Sequence, residues 1–272
     1  LDVAGTARRL LRRVGEPVIR TAVAQAMRLL GAQFVLGHDI ADAMANAAPQ
    51  EAEGYTFSYD MLGEAARTGE DAQRYLKAYA DALAAIATRA QGNAVRTNPG
   101  LSVKLSALHP RYETAQRARV LDELVPRLSG LAQAAARAGI GLNVDAEEAE
   151  RLELSLDVIE AALRDPALAG WDGFGVVVQA YGKRAPAVIE WLDETATALD
   201  RRLMVRLVKG AYWDAEVKHA QTLGLAGYPV FTRKAHTDVS WLACAQKLLA
   251  RRERLYPQFA THNAHSTASI IG

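Results

Sequence analysis

The chain has 272 residues, of which 50% are hydrophobic and 23% are charged, and its net charge at neutral pH is +1. This composition is typical of a globular protein that can bury a large core. The near-zero charge gives no indication of a nucleic-acid partner. The arginine pairs near the N-terminus are therefore interpreted as a solvated helix face, and this segment is predicted to bind no nucleic acid.

Membrane, secretory and multi-cysteine classes are also disfavoured. No stretch approaches the roughly 20 consecutive apolar residues that a membrane-spanning helix needs. Arginines interrupt the apolar residues at the N-terminus, so the sequence has no signal-peptide pattern. The single cysteine, Cys244, cannot form an internal disulfide or a multi-cysteine zinc site, and its apolar neighbours predict a small core residue. We therefore expect a cytoplasmic protein.

Residues 1–50 are predicted to form a helical arm. Apolar residues recur there at helical spacing, in two groups: Ala22, Ala26, Leu29 and Leu30, then Ile40, Ala43, Met44 and Ala47. Pro49 is expected to close this segment, because proline is a strong local breaker of regular structure. The chain is accordingly divided into the arm, residues 1–50, and a second domain, residues 51–272.

From Tyr55 onward, short apolar runs alternate with amphipathic helical stretches. The predicted strands are Phe57–Leu62, Leu101–Leu105, Gly141–Asp145, Phe174–Gln179, Leu203–Val208 and Gln258–His262. The clearest helix runs from Ala115 to Ala138, with Gly139 at the position of a C-terminal glycine cap. Strands that alternate with helices predict a parallel sheet.

Two parallel architectures compete, an open doubly wound sheet and a barrel. A doubly wound nucleotide-binding sheet usually carries G-x-G-x-x-G after its first strand. Here the segment Phe57-Ser-Tyr-Asp-Met-Leu-Gly63-Glu has one glycine and no such motif. The sequence therefore favours a barrel, although only six strands can be counted.

Polar side chains lie within or at the ends of five successive predicted strands, where a buried run should be apolar. They are Lys104, Asp145, Gln179, the pair Arg206 and Lys209, and the run Thr261-His262-Asn263. Unpaired buried charges are costly, so five such strand ends are hard to explain by packing alone. Because the carboxyl ends of barrel strands meet at one mouth, we expect these side chains to share a pocket.

The residues leave two chemistries open for that pocket. Asp145 is the only acid at the ends of strands two to six, no serine lies in a G-x-S-x-G elbow, and no metal site is predicted. In the first chemistry, Lys104 or Lys209 forms a Schiff base with a carbonyl substrate. In the second, cations and amides bind a large anionic cofactor, with Gly210 allowing close approach of the backbone.

Seven segments resemble the proline dehydrogenase domain of the bacterial proline utilization A (PutA) family. They are Tyr59-Asp-Met-Leu-Gly-Glu64, Ser102-Val-Lys-Leu-Ser-Ala-Leu-His-Pro-Arg-Tyr112, Asn143-Val-Asp-Ala-Glu-Glu148, Val178-Gln-Ala-Tyr181, Arg206-Leu-Val-Lys-Gly-Ala-Tyr-Trp213, Tyr228-Pro-Val-Phe-Thr-Arg-Lys234 and Phe259-Ala-Thr-His-Asn-Ala-His265. They follow the family order over nearly the whole chain.

This resemblance implies an α/β fold, a (β/α)8 TIM-like barrel that binds FAD non-covalently. It implies oxidation of L-proline to Δ1-pyrroline-5-carboxylate by hydride transfer to the flavin, the first step of proline catabolism, with electrons passed to a quinone. By resemblance, Asp145 and Arg206 are catalytic, and Lys104 and Tyr212 bind substrate. The implied cofactor-binding residues are Gln179, Arg206, Val208, Lys209, Gly210, Ala211, Trp213, Thr261, His262 and Asn263.

The family's last two strands and final helix, with an arginine pair that clamps the substrate carboxylate, have no counterpart before Gly272. We therefore expect the natural protein to continue beyond this sequence. The family also implies peripheral contact with the inner membrane in the reduced state, and a Δ1-pyrroline-5-carboxylate dehydrogenase module in the same natural chain. Two alternatives stay open: a Schiff-base lysine lyase or aldolase, and a non-catalytic barrel fragment.

Overall fold

The computed structural model describes residues 16, 18–21, 23–25, 27, 31, 35–92 and 94–271. Residues 1–55 and 56–272 form two compact units. In the first unit, helix α1 (Ile40–Ala52) buries Ala43, Met44 and Ala47, as the second helical stripe predicts. The four residues of the first predicted helical stripe, Ala22, Ala26, Leu29 and Leu30, lie outside the described residues, and the domain boundary at residue 50 stays a prediction.

Pro49 does not end the helix in which it lies. Pro49 lies inside α1, which continues to Ala52. A proline removes only one helical hydrogen bond, so a helix can continue beyond it.

The second unit is built from parallel strands and helices in alternation. Its strands are β1 (Ser58–Asp60), β2 (Gly100–Val103), β3 (Gly141–Val144), β4 (Phe174–Gln179), β5 (Leu203–Val208) and β6 (Leu255–Phe259). The helices are α2 (Gly69–Ala87), α3 (Leu105–Leu108), α4 (Arg117–Ala138), α5 (Leu152–Leu163), α6 (Ala185–Ala198), α7 (Trp213–Thr222), α8 (Lys234–Leu249) and α9 (Ala264–Ile271). Along the part of the chain that the structure describes, no helix is long and apolar enough to cross a membrane.

The strand order distinguishes between the two predicted architectures. All five neighbouring pairs are parallel, and the spatial order is β1-β2-β3-β4-β5-β6. A doubly wound sheet reverses its strand order at a switch point, whereas a β/α barrel adds each strand beside the previous one. The sheet therefore has the winding of a β/α barrel, and the predicted fold class is confirmed.

Local sequence signals account for the longest helices. In α4, Val120, Leu124 and Leu128 are fully buried, and Gly139 ends the helix with φ +67° in the left-handed region. Helix α2 begins after Thr68, whose Oγ1 accepts from Asp71 N, and Asp71 accepts from Thr68 N in return. This reciprocal capping box satisfies two backbone donors that no helical bond can use.

The predicted sixth strand, Gln258–His262, is displaced by three residues. Strand β6 begins at Leu255, which is fully buried and pairs with Leu203 at the start of β5. Its last residue, Phe259, pairs with Leu207. The partner strand ends one residue later, so residues 261–263 lie in the loop before α9 rather than in the strand. Cys244 is fully buried in α8, as predicted.

Candidate active site

Alternate residues of each strand face the interior of the barrel, because successive side chains point to opposite faces of a sheet. The register places Ser102 opposite Asn143 and Arg206 opposite both Val177 and Gln258. The guanidinium of Arg206 reaches across this interior and donates to Ser102 Oγ at 2.9 Å and to Ser58 Oγ at 2.8 Å. Side chains from β1, β2 and β5 thus meet inside the barrel.

Lys104 is held between two carboxylates at the mouth of the barrel. Its Nζ lies 2.9 Å from Asp60 Oδ1 and 2.9 Å from Asp145 Oδ2. The side chains of Lys104 and Asp145 are only 14% and 15% exposed, whereas that of Asp60 is 48% exposed. The predicted pair Lys104 and Asp145 is therefore in direct contact, and Asp60 is an additional member from β1.

The charges in this cluster shift one another's titration. Burial lowers the pKa of Lys104, but attraction by Asp145 and hydrogen bonds to both carboxylates outweigh burial and hold the pKa above its usual value. Burial raises the pKa of Asp145, against the opposing attraction of Lys104, and the neighbouring Asp60 charge raises it further. Lys104 is consequently a protonated ammonium, while Asp145 protonates more readily than an exposed aspartate does.

Arg206 makes its described hydrogen bonds with neutral partners. Burial lowers its pKa, and the charges of Asp145 and Asp60 oppose this effect. Arginine stays protonated in proteins even when its pKa is lowered. Its positive charge is therefore oriented by serine hydroxyls and is not neutralised by a carboxylate in direct contact.

Arg206 also lines a cavity of about 280 Å³, together with Asn143, Met204, Tyr256 and Gln258 among others. Asn143 is 2% exposed, and its Oδ1 has no hydrogen-bond partner among the described residues; the same holds for Gln258 Oε1. Polar atoms of this kind are usually satisfied by water when there is room for it.

Gln179 joins two loops at the rim with both ends of its amide. Its Nε2 donates to the carbonyl oxygen of Glu147 at 2.9 Å, and its Oε1 accepts from Ala211 N at 3.0 Å. Val208 pairs with Gln179 in the sheet, and its carbonyl accepts from Ala180 N at 2.9 Å. Gln179, Val208 and Ala211 are thus brought together, but through bonds to one another and to the neighbouring loop.

The loop after β5 contains the next predicted residues. Lys209 Nζ lies 2.5 Å from Asp238 Oδ1 on α8, so this cation has an acidic partner. Gly210 has φ +144°, and a Cβ there would lie 2.4 Å from Tyr181 Cγ. The need for glycine is therefore explained by the Tyr181 ring and the backbone angle, whether or not a cofactor approaches.

Two aromatic residues follow in the same loop. Tyr212 Oη lies 3.2 Å from Glu64 Oε2, in the loop after β1. Burial raises the pKa of Tyr212, and the charge of Glu64 raises it further, so the phenol stays protonated and donates this bond. Trp213 is 42% exposed and donates from Nε1 to the carbonyl of Phe231 at 2.9 Å.

The three polar residues after β6 bond locally. Asn263 Oδ1 accepts from Ser266 N at 2.9 Å, which caps α9, and Thr261 Oγ1 accepts from Asn263 N at 3.0 Å. His262 is exposed. Among the residues that the structure describes, no hydrogen bond or ion pair connects these three with the Lys104 cluster, which is Lys104, Asp60 and Asp145, so their cofactor role stays a prediction.

Sequence reasoning missed several residues of the site. Ser58 and Ser102 lie inside the barrel and Asp60 at its mouth, each beside a predicted residue, and Glu64 and Glu147 lie at the rim. Counting acids only from the second strand onward excluded Asp60, although it ends β1 in the same way that Asp145 follows β3. The alternation Ser58-Tyr59-Asp60, with Tyr59 buried between two polar residues, was the available signal. Over the described ranges, no group of three His, Cys, Asp or Glu side chains could hold a metal ion.

Comparison with known proteins identifies the family. A family model described as "Proline dehydrogenase" matches residues 43–272, which is most of the chain. The chain belongs to the proline dehydrogenase family. A second model, described as "DNA-binding domain of Proline dehydrogenase", matches residues 2–34. Interpreting residues 1–50 as a helical arm did not anticipate this second match, and the absence of nucleic-acid binding stays a prediction.

Relatives agree with this membership. The "Bifunctional protein PutA" of Klebsiella aerogenes is 57% identical over 262 residues, which are 96% of this chain and 20% of the relative. A crystal structure of a Bradyrhizobium japonicum proline utilization A mutant has TM-score 0.85 at 59% identity, with 97% of this chain and 27% of that chain covered. The Bdellovibrio bacteriovorus protein, inactivated by N-propargylglycine, has TM-score 0.88 at 27% identity, with coverage of 97% and 29%. This chain spans about a fifth of the length of its curated relatives.

Proposed function

We propose that this chain forms the catalytic part of a flavoprotein oxidoreductase that converts L-proline to Δ1-pyrroline-5-carboxylate by hydride transfer to FAD. The observation that carries the proposal is the Lys104 cluster: one ammonium between two carboxylates, with the Arg206 guanidinium alongside. Family membership supplies the reaction class, and the cluster supplies groups of the charge that the substrate requires.

The charge of the cluster fits a small zwitterion. Lys104 and Arg206 contribute two positive charges, and Asp60 and Asp145 contribute two negative charges, so the site is electrically balanced. An amino acid such as proline also carries one charge of each sign. Its carboxylate would bind the cations, and its secondary amine would lie beside an aspartate, without leaving a charge unpaired. In this arrangement Lys104 binds the substrate carboxylate and Asp145 orients Lys104.

The donors at the mouth also fit an anionic redox cofactor. When bound, FAD supplies the acceptor that takes hydride from the carbon next to the amine. The guanidinium of Arg206, held by Ser58 and Ser102, would stabilise the negative charge that develops on such an acceptor. Gln179, Val208, Lys209, Gly210, Ala211 and Trp213, with Thr261, His262 and Asn263, are proposed to contact the cofactor, and Tyr212 to contact the substrate.

The Schiff-base alternative is disfavoured by the electrostatics of Lys104. A Schiff-base lysine reacts as a neutral amine, and enzymes lower its pKa for that purpose. The pKa of Lys104 lies above its ordinary value, because Asp145 and Asp60 stabilise the ammonium more than burial destabilises it. The Lys209 side chain is engaged in an ion pair with Asp238.

The natural protein is proposed to do more than this part alone. The relatives are named bifunctional and are several times longer than this chain. We propose a Δ1-pyrroline-5-carboxylate dehydrogenase module in the same natural chain and a quinone as electron acceptor. Cytoplasmic location with peripheral membrane contact in the reduced state follows from the family resemblance.

The decisive experiment uses the full-length natural protein that contains this sequence. Its visible spectrum should show bound flavin, and anaerobic L-proline should bleach that spectrum. Arg206→Met should lose flavin or lower turnover by more than about tenfold, because it removes the guanidinium that would stabilise the negative charge developing on the flavin. Arg202→Met, at the exposed entry to the same strand, is the matched control. A colourless protein that proline cannot reduce after FAD is added would refute the proposal.

A further inference from the structure

A buried carboxylate at the rim has no part in the proposed chemistry. The side chain of Glu147 is only 5% exposed. Its Oε1 accepts from Ser106 N at 3.0 Å, and its Oε2 lies 3.3 Å from Arg151 NH1. Burial raises the pKa of Glu147, and the hydrogen bonds with Ser106 oppose this shift. Keeping a carboxylate in such a place is costly, so its contacts need an explanation.

The contacts of Glu147 belong to a chain of hydrogen bonds that runs around the mouth. On one side, Ser106 Oγ accepts from Ala65 N at 3.1 Å, and the carbonyl of Ser106 accepts from Ala66 N at 2.9 Å. Ala65 has φ +57°, a backbone angle that a non-glycine residue keeps only when its surroundings hold it. Ser106 therefore fixes the loop after β1 while its own N–H is fixed by Glu147.

On the other side of Glu147, the hydrogen bonds continue toward the proposed cofactor-binding loop. The carbonyl oxygen of Glu147 accepts from Gln179 Nε2 at 2.9 Å, and Gln179 Oε1 accepts from Ala211 N at 3.0 Å. Glu147 thus connects α3, which follows β2, with the end of β4, and through Gln179 it reaches the loop after β5. The segments after β1, β2, β3 and β5 and the last residue of β4 are connected in this way.

We propose that Glu147 is a positioning residue for the cofactor-binding loop after β5. Its carboxylate fixes the loop after β3, so that its carbonyl oxygen holds Gln179 and Gln179 in turn holds Ala211. Glu147 acts through these residues and touches neither substrate nor cofactor. The identity of the cofactor rests on the proposed function, whereas the hydrogen-bonded chain itself does not.

Three substitutions at this position separate reach from charge. Glu147→Gln keeps the length and an acceptor oxygen for Ser106 N but removes the charge. Glu147→Asp keeps the charge but is shorter by one methylene, about 1.5 Å, so its oxygen falls short of Ser106 N. Glu147→Ala removes both. Glu148→Ala is the matched control, because Glu148 also lies 3.3 Å from Arg151 NH1 in the same loop.

Two measurements on the full-length protein test the proposal. Titration of the apoprotein with FAD, followed by flavin fluorescence, should show a dissociation constant raised roughly tenfold or more in the Ala and Asp variants. Glu147→Gln should stay within about threefold of the parent, and so should Glu148→Ala. Hydrogen exchange of the apoprotein should be faster than in the parent for the peptide that contains Ala211. We expect this increase in the Ala and Asp variants only.

The amide exchange distinguishes positioning from a local structural role. If Glu147 merely stabilises its own loop, exchange speeds up at Ser106 while Ala211 is unchanged, and the proposal is wrong. If the Ala variant does not fold, the contrast between Asp and Gln decides in the same way. A parent protein that neither binds flavin nor oxidises proline would refute the proposed function. Amide hydrogen exchange at Ala211 would still test the role of Glu147.

Discussion

Removing the ammonium of Lys104 is the sharpest test of the site, because two carboxylates depend on it. In Lys104→Met the carboxylates of Asp60 and Asp145 lose the cation that lies 2.9 Å from each of them. Truncating one partner of a fully buried ion pair costs about 3–5 kcal/mol. Asp60 is 48% exposed, so water replaces part of its lost contact. We therefore expect the free energy of unfolding to fall by about 2–3 kcal/mol.

The same substitution should weaken proline binding more than it slows the chemical step. Losing one charge-assisted hydrogen bond to the proline carboxylate costs about 1.5–3 kcal/mol, which is a roughly ten- to 150-fold rise in KM. The two remaining carboxylates would also repel the carboxylate of the substrate. Steady-state turnover with a dye acceptor gives KM and kcat, and anaerobic bleaching of the flavin gives the proline dissociation constant.

A surface lysine supplies the control for this experiment. Lys77 is 76% exposed and forms an ion pair with Asp81 on α2. Lys77→Met should change KM and unfolding by little, because exposed ion pairs contribute about 0–1 kcal/mol. If Lys104→Met has a KM within about threefold of the parent, Lys104 does not bind the substrate carboxylate and the reasoning fails.

Three further predictions concern single positions. Gly210→Ala should lower the free energy of unfolding by about 2 kcal/mol or more, because the new Cβ would clash with the Tyr181 ring and the backbone φ of +144° disfavours any side chain. A melting temperature equal to the parent's would contradict this. Thr68→Ala should cost about 1 kcal/mol by loss of the capping box, and Thr68→Ser should restore most of it in urea unfolding. Burial raises the pKa of Glu147 in the folded protein above its value in the unfolded chain, which is about 4.3. As the pH rises from the unfolded to the folded pKa, the unfolded state loses its proton first, so the folded protein loses stability over that range. Glu147→Gln should therefore gain stability relative to the parent across that window in melts between pH 4 and pH 8, and a difference independent of pH would count against the shift.

Strand and helix patterns made most of the fold predictable. The strands Phe174–Gln179 and Leu203–Val208 occur with the predicted bounds, because each is an apolar run long enough to be covered on both faces. The helix ending at Gly139 was predictable from its apolar stripe and its glycine. The sixth strand was misplaced because Leu255-Tyr-Pro-Gln-Phe259 has no apolar run, and only pairing with β5 fixes where it begins.

The site was predictable to the extent that its chemistry lies at strand ends. A lysine, an aspartate and an arginine in otherwise apolar runs indicated a shared pocket, and Lys104 and Asp145 do meet there. Thr261, His262 and Asn263 also follow a strand, but their described bonds stay within their own loop and the start of α9. A polar residue after a strand is visible in the sequence, whereas the direction of its side chain depends on the loop that follows.

By itself, the sequence determined the parallel alternation of strands and helices, the family and the types of charge at the mouth, because periodicity and residue type are local properties. Only the tertiary structure decided that Asp60 completes the Lys104 cluster, that Arg206 is held by Ser58 and Ser102, and that Glu147 lies between Ser106 and Gln179. These contacts join residues 32 to 148 positions apart along the chain. They exist because parallel strands, closing toward a barrel, bring distant segments to one end, and no local pattern encodes such a meeting.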